Sequence, residues 1–212
     1  MKKSFPGYCL IYKKVYLLFF LFSLTLIPLQ ATNKNYSRGF IITNEGDTLS
    51  GQVKDRSTGS FPKLYTAIRF KAENSLFRKK FSPDEILGYA IGDQFYETMP
   101  LWEESTFFKF RYYVNEGVER VFLKAVLKNE ALTYYQWEYI DADNGYLDYV
   151  PLFYRTGSDE MVRVTQGVLG LKRKRLTEYF RDCPEMTAAI ERKTLNEITD
   201  VYYFYLDSCI DP

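Results

Sequence analysis

The sequence predicts a mainly antiparallel β fold, all-β or α+β, with about ten strands followed by two or three C-terminal α-helices. Segments of alternating apolar and polar residues recur up to about residue 170, and short runs rich in Gly, Asn and Asp separate them. After Gly170, charged residues and helix formers dominate. Aromatic residues make up 18% of the chain, and strands accommodate such residues well. Strands first and helices last indicate a sheet with a helical appendage.

The first half of the predicted sheet consists of hairpins. Strands are predicted at residues 38–43, 48–54, 65–71, 76–80, 86–91 and 94–98. The tetrapeptide at 44–47 (Asn-Glu-Gly-Asp) and the dipeptide Gly92-Asp93 are turn sequences, so the strands that flank each of them should pair antiparallel. Residues 55–62 form a loop by composition, and residues 82–85 have the capping pattern of one short helical turn.

The most regular part lies between residues 106 and 155. Strands are predicted at 106–114, 118–128, 131–140 and 146–154, and the short gaps between them predict an antiparallel meander of successive strands. One face of this meander is predicted to be core: Phe108, Phe110, Tyr112, Val114, Val121, Leu123, Ala125 and Leu127.

The opposite face of the meander is partly aromatic and is a candidate binding face. It is formed by Phe107, Tyr113, Tyr135, Trp137 and Tyr139. In one interpretation, other elements cover these side chains as a second core layer, because a sheet with two apolar faces normally has both covered. In the other interpretation, the face is exposed and binds a glycan or an envelope protein.

Three helices are predicted after Gly170, and the last two carry a pair of cysteines. Apolar residues at helical spacing predict the first helix, and capping boxes at 182–185 and 194–197 predict the next two. Cys183 lies at the start of the second helix and Cys209 just past the end of the third. A short connection should make these helices antiparallel, which brings the two sulfurs together in a predicted disulfide. Two unpaired buried thiols are the alternative.

The N-terminus is predicted to be a secretory signal peptide. It has a lysine-rich start, an uncharged apolar run at residues 15–29, and a small residue, Ala31, at the expected cleavage position. The alternative is an uncleaved membrane anchor, although the run is short for a membrane span. The predicted organisation is therefore a signal peptide at 1–31, a β domain at 32–170 and a C-terminal helical segment at 171–212. Cleavage would leave 24 basic and 27 acidic residues, a net charge of −3.

Composition excludes several kinds of chemistry. The chain has no histidine, so it has no Ser-His-Asp triad, no Cys-His pair and no imidazole metal ligand. Asp141-Ala142-Asp143 begins like a calcium loop but lacks the glycine and glutamate that such a loop needs later, so a hairpin turn is expected. The acid pairs Glu103-Glu104 and Asp141/Asp143 are expected to be solvated. We therefore predict no catalytic residue, no metal and no cofactor, with a carboxylate-based hydrolase acting on polysaccharide as the alternative.

One basic run stands out in the C-terminal segment: Lys172, Arg173, Lys174 and Arg175. It could bind phosphate or anionic lipid, or it could be the solvated start of a helix. Nucleic acid is not an expected partner, given the near-neutral charge of the chain. Membrane association is expected only through this run or through an uncleaved N-terminus.

Two short motifs suggest a relationship. Residues 39–42 (Gly-Phe-Ile-Ile) with 45–51 (Glu-Gly-Asp-Thr-Leu-Ser-Gly), and later 179–184 (Tyr-Phe-Arg-Asp-Cys-Pro), resemble segments of secreted, uncharacterised cell-envelope proteins of Bacteroidota. The resemblance implies export to the periplasm or to the outer-membrane or extracellular side of a bacterial cell, and it implies no activity. Together, these observations predict an exported cell-envelope protein that is a non-catalytic binding or structural module.

Overall fold

The fold is seen in a computed structural model that describes residues 36–57, 64, 66–107 and 109–210. The predicted signal peptide at 1–31 lies outside the described residues. Twelve strands in one sheet and three α-helices make up the described part, so the predicted mainly antiparallel β fold with C-terminal helices is confirmed, with twelve strands rather than about ten.

The strands and helices have these bounds. The strands are β1 (Ser37–Thr43), β2 (Thr48–Lys54), β3 (Ile68–Ala72), β4 (Lys79–Phe81), β5 (Ile86–Ile91), β6 (Gln94–Pro100), β7 (Trp102–Thr106), β8 (Lys109–Tyr113), β9 (Arg120–Lys128), β10 (Leu132–Ile140), β11 (Leu147–Arg155) and β12 (Glu160–Arg163). The helices are α1 (Arg173–Tyr179), α2 (Pro184–Glu191) and α3 (Ile198–Ser208), preceded by a 3-10 turn at Gly167–Leu169. The strand order is β4-β3-β2-β1-β5-β6-β9-β10-β11-β12-β8-β7.

The hairpins of the first half form as predicted, because their turns are encoded locally. The amide of Thr43 donates to the carbonyl of Asp47 at 2.9 Å and closes the β1–β2 turn. Gly39 of β1 lies so close to β5 that a Cβ atom there would be 2.0 Å from the carbonyl oxygen of Ala90. Only glycine fits so close an approach, so the pairing of β1 with β5 requires a glycine at this position.

The predicted meander is wrong at its first strand. The segment at 106–114 is not one strand but the second part of a hairpin: β7 ends at Thr106, the chain turns at Phe107 with φ of 44°, and β8 begins at Lys109. β8 pairs with β7 and β12 instead of β9. The turn contains no Gly, Asn or Asp, so composition did not reveal it. β12, also missed, is only four residues long.

The second half of the sheet curls on itself. β6 and β7 are separated only by Leu101, yet they are the sixth and the twelfth strand in the sheet order. The strands between them must therefore roll until the two ends of this half approach each other. The rolled face encloses one apolar cluster: Leu101, Tyr112, Leu123, Tyr135, Val150, Leu152 and Met161.

The helices cover the opposite face of β10–β12. Tyr134, Phe153 and Val162 alternate along their strands with the residues of the rolled core. They pack against a helical set that includes Leu176, Phe180, Met186, Ile190, Val201 and Tyr202. A third apolar cluster lies on the first half of the sheet, around Ile41, Val53, Tyr89, Tyr96 and Phe122.

The helix starts differ from the predicted capping boxes, but the cysteines meet. Cys183 is the N-cap of α2 without a side-chain capping bond, and α3 is capped by Glu197 together with Asp200. The sulfurs of Cys183 and Cys209 lie 2.06 Å apart and their Cα atoms 5.6 Å apart, so the predicted pair is joined. Within the described part of the chain, no helix has the length and apolar character needed to span a membrane.

Candidate functional site

The most distinctive feature of the sheet is a split between β9 and β10. Their pairing ends at Lys124 and Gln136. Beyond this point β9 stays paired with β6 as far as Arg120, and β10 stays paired with β11 as far as Ile140. Because each strand follows its other neighbour, the two separate and a cleft of about 310 Å³ opens between them.

The walls of the cleft come from both separated strands. Residues 119–122 form one wall and residues 137–140 the other. Loops of the first half add Arg56, Leu64, Thr66 and Pro83. Three aromatic side chains lie among these wall residues: Phe122, Trp137 and Tyr139. Such a combination of aromatic surface with a few fixed polar groups is typical of small-ligand sites.

A buried arginine forms one side of the cleft. The side chain of Arg56, two residues after the end of β2, is only 5% exposed. Its Nε lies 3.3 Å from Oδ1 of Asp55, and its Nη2 is paired with Oε2 of Glu138. The guanidinium carbon lies 5.0 Å from the ring centroid of Tyr96, within range of a cation–π interaction. Arg56 thereby connects the end of β2 to the separated end of β10.

Two tyrosines complete this charged cluster. The rings of Tyr89 and Tyr96 stack with their centroids 4.6 Å apart. The hydroxyl of Tyr89 donates to Asp55 at 2.6 Å, and that of Tyr96 lies 3.3 Å from Oε1 of Glu138. The arginine, its two acids and the two tyrosines thus form one connected network.

Burial and neighbouring charges determine which groups of this network are ionised. Burial disfavours the charge on Arg56, but the carboxylates of Asp55 and Glu138 favour it, and the pKa of Arg56 is raised. Burial is also the main cause that raises the pKa of Tyr89 and of Tyr96. Near neutral pH the arginine is therefore charged and both tyrosines keep their protons, which gives the cleft a fixed polar side.

The five residues of the candidate binding face do not share one surface. Tyr135 is buried in the rolled core, where its hydroxyl binds Glu97, and Phe107 is 92% exposed at the β7–β8 turn. Tyr113 stacks on Trp102 with ring centroids 5.6 Å apart. Trp137 and Tyr139 both line the cleft, and they are the two that the structure brings together.

The acid pairs of the sequence have structural roles. Glu104 accepts a hydrogen bond from the hydroxyl of Tyr113 at 3.4 Å. Asp141 accepts one from the amide of Asp143 at 2.7 Å within the β10–β11 turn, as expected for a hairpin connection. Among the residues that the structure describes, no group of three or more Cys, Asp or Glu side chains is placed to hold a metal ion.

Sequence reasoning missed Arg56 and Glu138. Arg56 lies in the segment predicted as a loop, and Glu138 alternates with aromatic residues on a strand that was expected to be regular. The one available signal was an Asp-Arg dipeptide directly after a strand, which is too common to identify a site. The chain matches no protein-family model, no curated protein and no solved structure in the comparisons.

Proposed function

We propose that the chain is an exported cell-envelope protein that binds a neutral saccharide in the cleft between β9 and β10, without converting it. The observation that carries this proposal is the combination of aromatic walls with balanced charge. Trp137 and Tyr139 offer flat apolar surface, against which the C–H face of a sugar ring can stack, while Phe122 is buried behind the wall.

The charges of the cleft favour a ligand without net charge. Arg56 and Arg120 are matched by Glu119 and Glu138 among the residues that line it. Arg56 is already paired with two acids, so it offers little attraction to an anion. Hydroxyl groups, which both donate and accept hydrogen bonds, suit such a mixed wall.

Binding is favoured over polysaccharide hydrolysis by how the acids of the Arg56 network are engaged, which leaves Glu119 as the one other acid among the described residues that line the cleft. Asp55 and Glu138 are the carboxylates of the Arg56 network, and a glycosidase needs two carboxyls that face the bond to be cleaved. Both oxygens of Glu138 have partners, one in Arg56 and one in Tyr96. Oδ1 of Asp55 accepts from Arg56 and from Tyr89. These interactions suit a rigid support better than a proton donor or a nucleophile.

Removal of the Tyr139 ring is expected to weaken saccharide binding about tenfold, because one stacking surface of the cleft is lost. Tyr139 is 38% exposed, so Tyr139→Ala should fold normally. Titration of neutral oligosaccharides built from glucose, mannose or N-acetylglucosamine by calorimetry measures the effect. Tyr139→Phe, which keeps the ring, and Tyr146→Ala, at an exposed turn residue outside the cleft, should both bind like the wild type. Equal affinity of Tyr139→Ala and the wild type would contradict the proposal.

Export is expected to remove the N-terminal segment and leave a chain that begins near Thr32. The lysine-rich start and the apolar run at 15–29 support this expectation, and the Cys183–Cys209 bond agrees with an oxidising compartment. N-terminal sequencing of the protein from fractionated cells checks it. An intact Met1 in the membrane fraction would support the anchor instead, and recovery from the cytoplasm would contradict export.

A further inference from the structure

We propose that a second site, the groove between β8 and α1, binds the phosphate headgroup of an anionic lipid and so holds the protein at a membrane surface. This basic groove is distinct from the saccharide cleft, because the two share no lining residue. It has a volume of about 580 Å³. The inference does not depend on the proposed saccharide function.

The groove gathers basic side chains from two places in the sequence. Lys109 and Arg111 come from β8, and the run Lys172–Arg175 comes from the start of α1. Among the described residues that line the groove, Glu178 is the one acid. Arg175 forms ion pairs with Glu178 and Glu160, so that acid is already engaged.

The positive charge of the three lysines in the groove is not neutralised by ion pairs among the described residues. Within the part of the chain that the structure describes, no acid lies within ion-pair distance of Lys109, Lys172 or Lys174. Burial lowers the pKa of Lys172, and the charges of Arg163 and Arg175 lower it further. Neighbouring cations repel one another. A bound anion with more than one charge, such as phosphate, would relieve this repulsion.

Two exposed apolar side chains lie within two residues of groove-lining residues in the sequence and favour a lipid over a soluble phosphate. Phe107 precedes Lys109 by two residues and is 92% exposed, and Leu169 precedes the lining residue Leu171 by two residues and is 75% exposed. Exposed side chains of this size beside clustered cations match a membrane interface, where the apolar groups enter the acyl boundary and the cations bind headgroups.

Charge reversal in the groove is expected to weaken vesicle binding at least ~25-fold, since each cation at an anionic surface contributes about fivefold. The test variant is Lys109→Glu/Lys174→Glu, two exposed positions. The matched control is Lys79→Glu/Lys80→Glu, which makes the same charge change on β4 at the other end of the strand order. Co-sedimentation of the exported protein with phosphatidylglycerol-containing vesicles measures the affinities, and all proteins share one N-terminus.

Only the groove variant should lose binding, and the wild type should prefer anionic vesicles to pure phosphatidylcholine. Phe107→Ser/Leu169→Ser should also bind vesicles more weakly while keeping its affinity for glycerol phosphate. Equal losses in the two charge variants would overturn the inference, and so would equal binding to both vesicle types. Binding of glycerol phosphate at the groove with no vesicle binding would overturn the lipid as the source of the phosphate.

Discussion

Replacement of Arg56 by methionine is expected to destabilise the protein by about 3 kcal/mol, because it leaves Glu138 and Asp55 without their buried counter-charge. The Glu138 side chain is only 10% exposed, so water cannot fully replace the guanidinium. Methionine keeps most of the apolar length of arginine, and the expected loss is therefore electrostatic in origin. Urea unfolding, followed by circular dichroism, measures the change.

Two further variants separate the charge network from its surroundings. Arg120→Met changes another arginine of the same cleft, whose Nη2 donates to the carbonyl of Thr98 at 3.4 Å, and it should cost less than about 1 kcal/mol. Arg56→Met/Glu138→Gln removes both charges of the more buried pair. Its loss of stability should be smaller than the sum of the losses in the two single variants. A loss below about 1 kcal/mol for Arg56→Met would contradict a network that depends on this arginine.

Removal of the disulfide is expected to destabilise the fold by about 3.5 kcal/mol in the chain-entropy model, because the bond closes a loop between residues 26 apart in sequence. For a chain of this length, that corresponds to a melting temperature lower by roughly 7–14 °C. The variant Cys183→Ala/Cys209→Ala tests this with little change in volume at Cys183, which is buried against the helical core.

Reduction supplies the control for the disulfide. A reducing agent should lower the melting temperature of the wild type by a similar amount and leave the double variant unchanged. A wild type that is insensitive to reductant, together with an equally stable double variant, would show that the bond contributes nothing to stability.

The features that local chemistry encodes were predictable. The bounds of β2 and β5 agree with the predicted strands because turn or loop sequences lie on both sides of each strand. The disulfide was predictable because a short connection between two helices favours an antiparallel pair, in which the start of the first lies near the end of the second. In each case the determining interaction lies within about 30 residues.

The features that depend on distant packing were not predictable. β8 pairs with β12, about fifty residues further on, and the tight turn before it uses Phe107 with positive φ instead of glycine. The saccharide cleft has the same origin, since it exists because β9 follows β6 while β10 follows β11. No alternation pattern within β9 or β10 could show that the two strands separate beyond Lys124 and Gln136. Trp137 and Tyr139 were identified as candidate binding residues, but Arg56, Glu138 and the other residues of the cleft were not.

The two tryptophans offer the most direct test of saccharide binding in the cleft. Trp137 lines the cleft, whereas Trp102 lies on β7 outside it, and the chain has no other tryptophan. In Trp102→Phe, saturation with a neutral oligosaccharide should change the fluorescence of the remaining Trp137. In Trp137→Phe, which keeps a ring in the wall, the same ligand should bind but leave the emission of Trp102 unchanged. A response that comes from Trp102 alone, or no response to any neutral saccharide in either variant, would contradict binding in the cleft between β9 and β10.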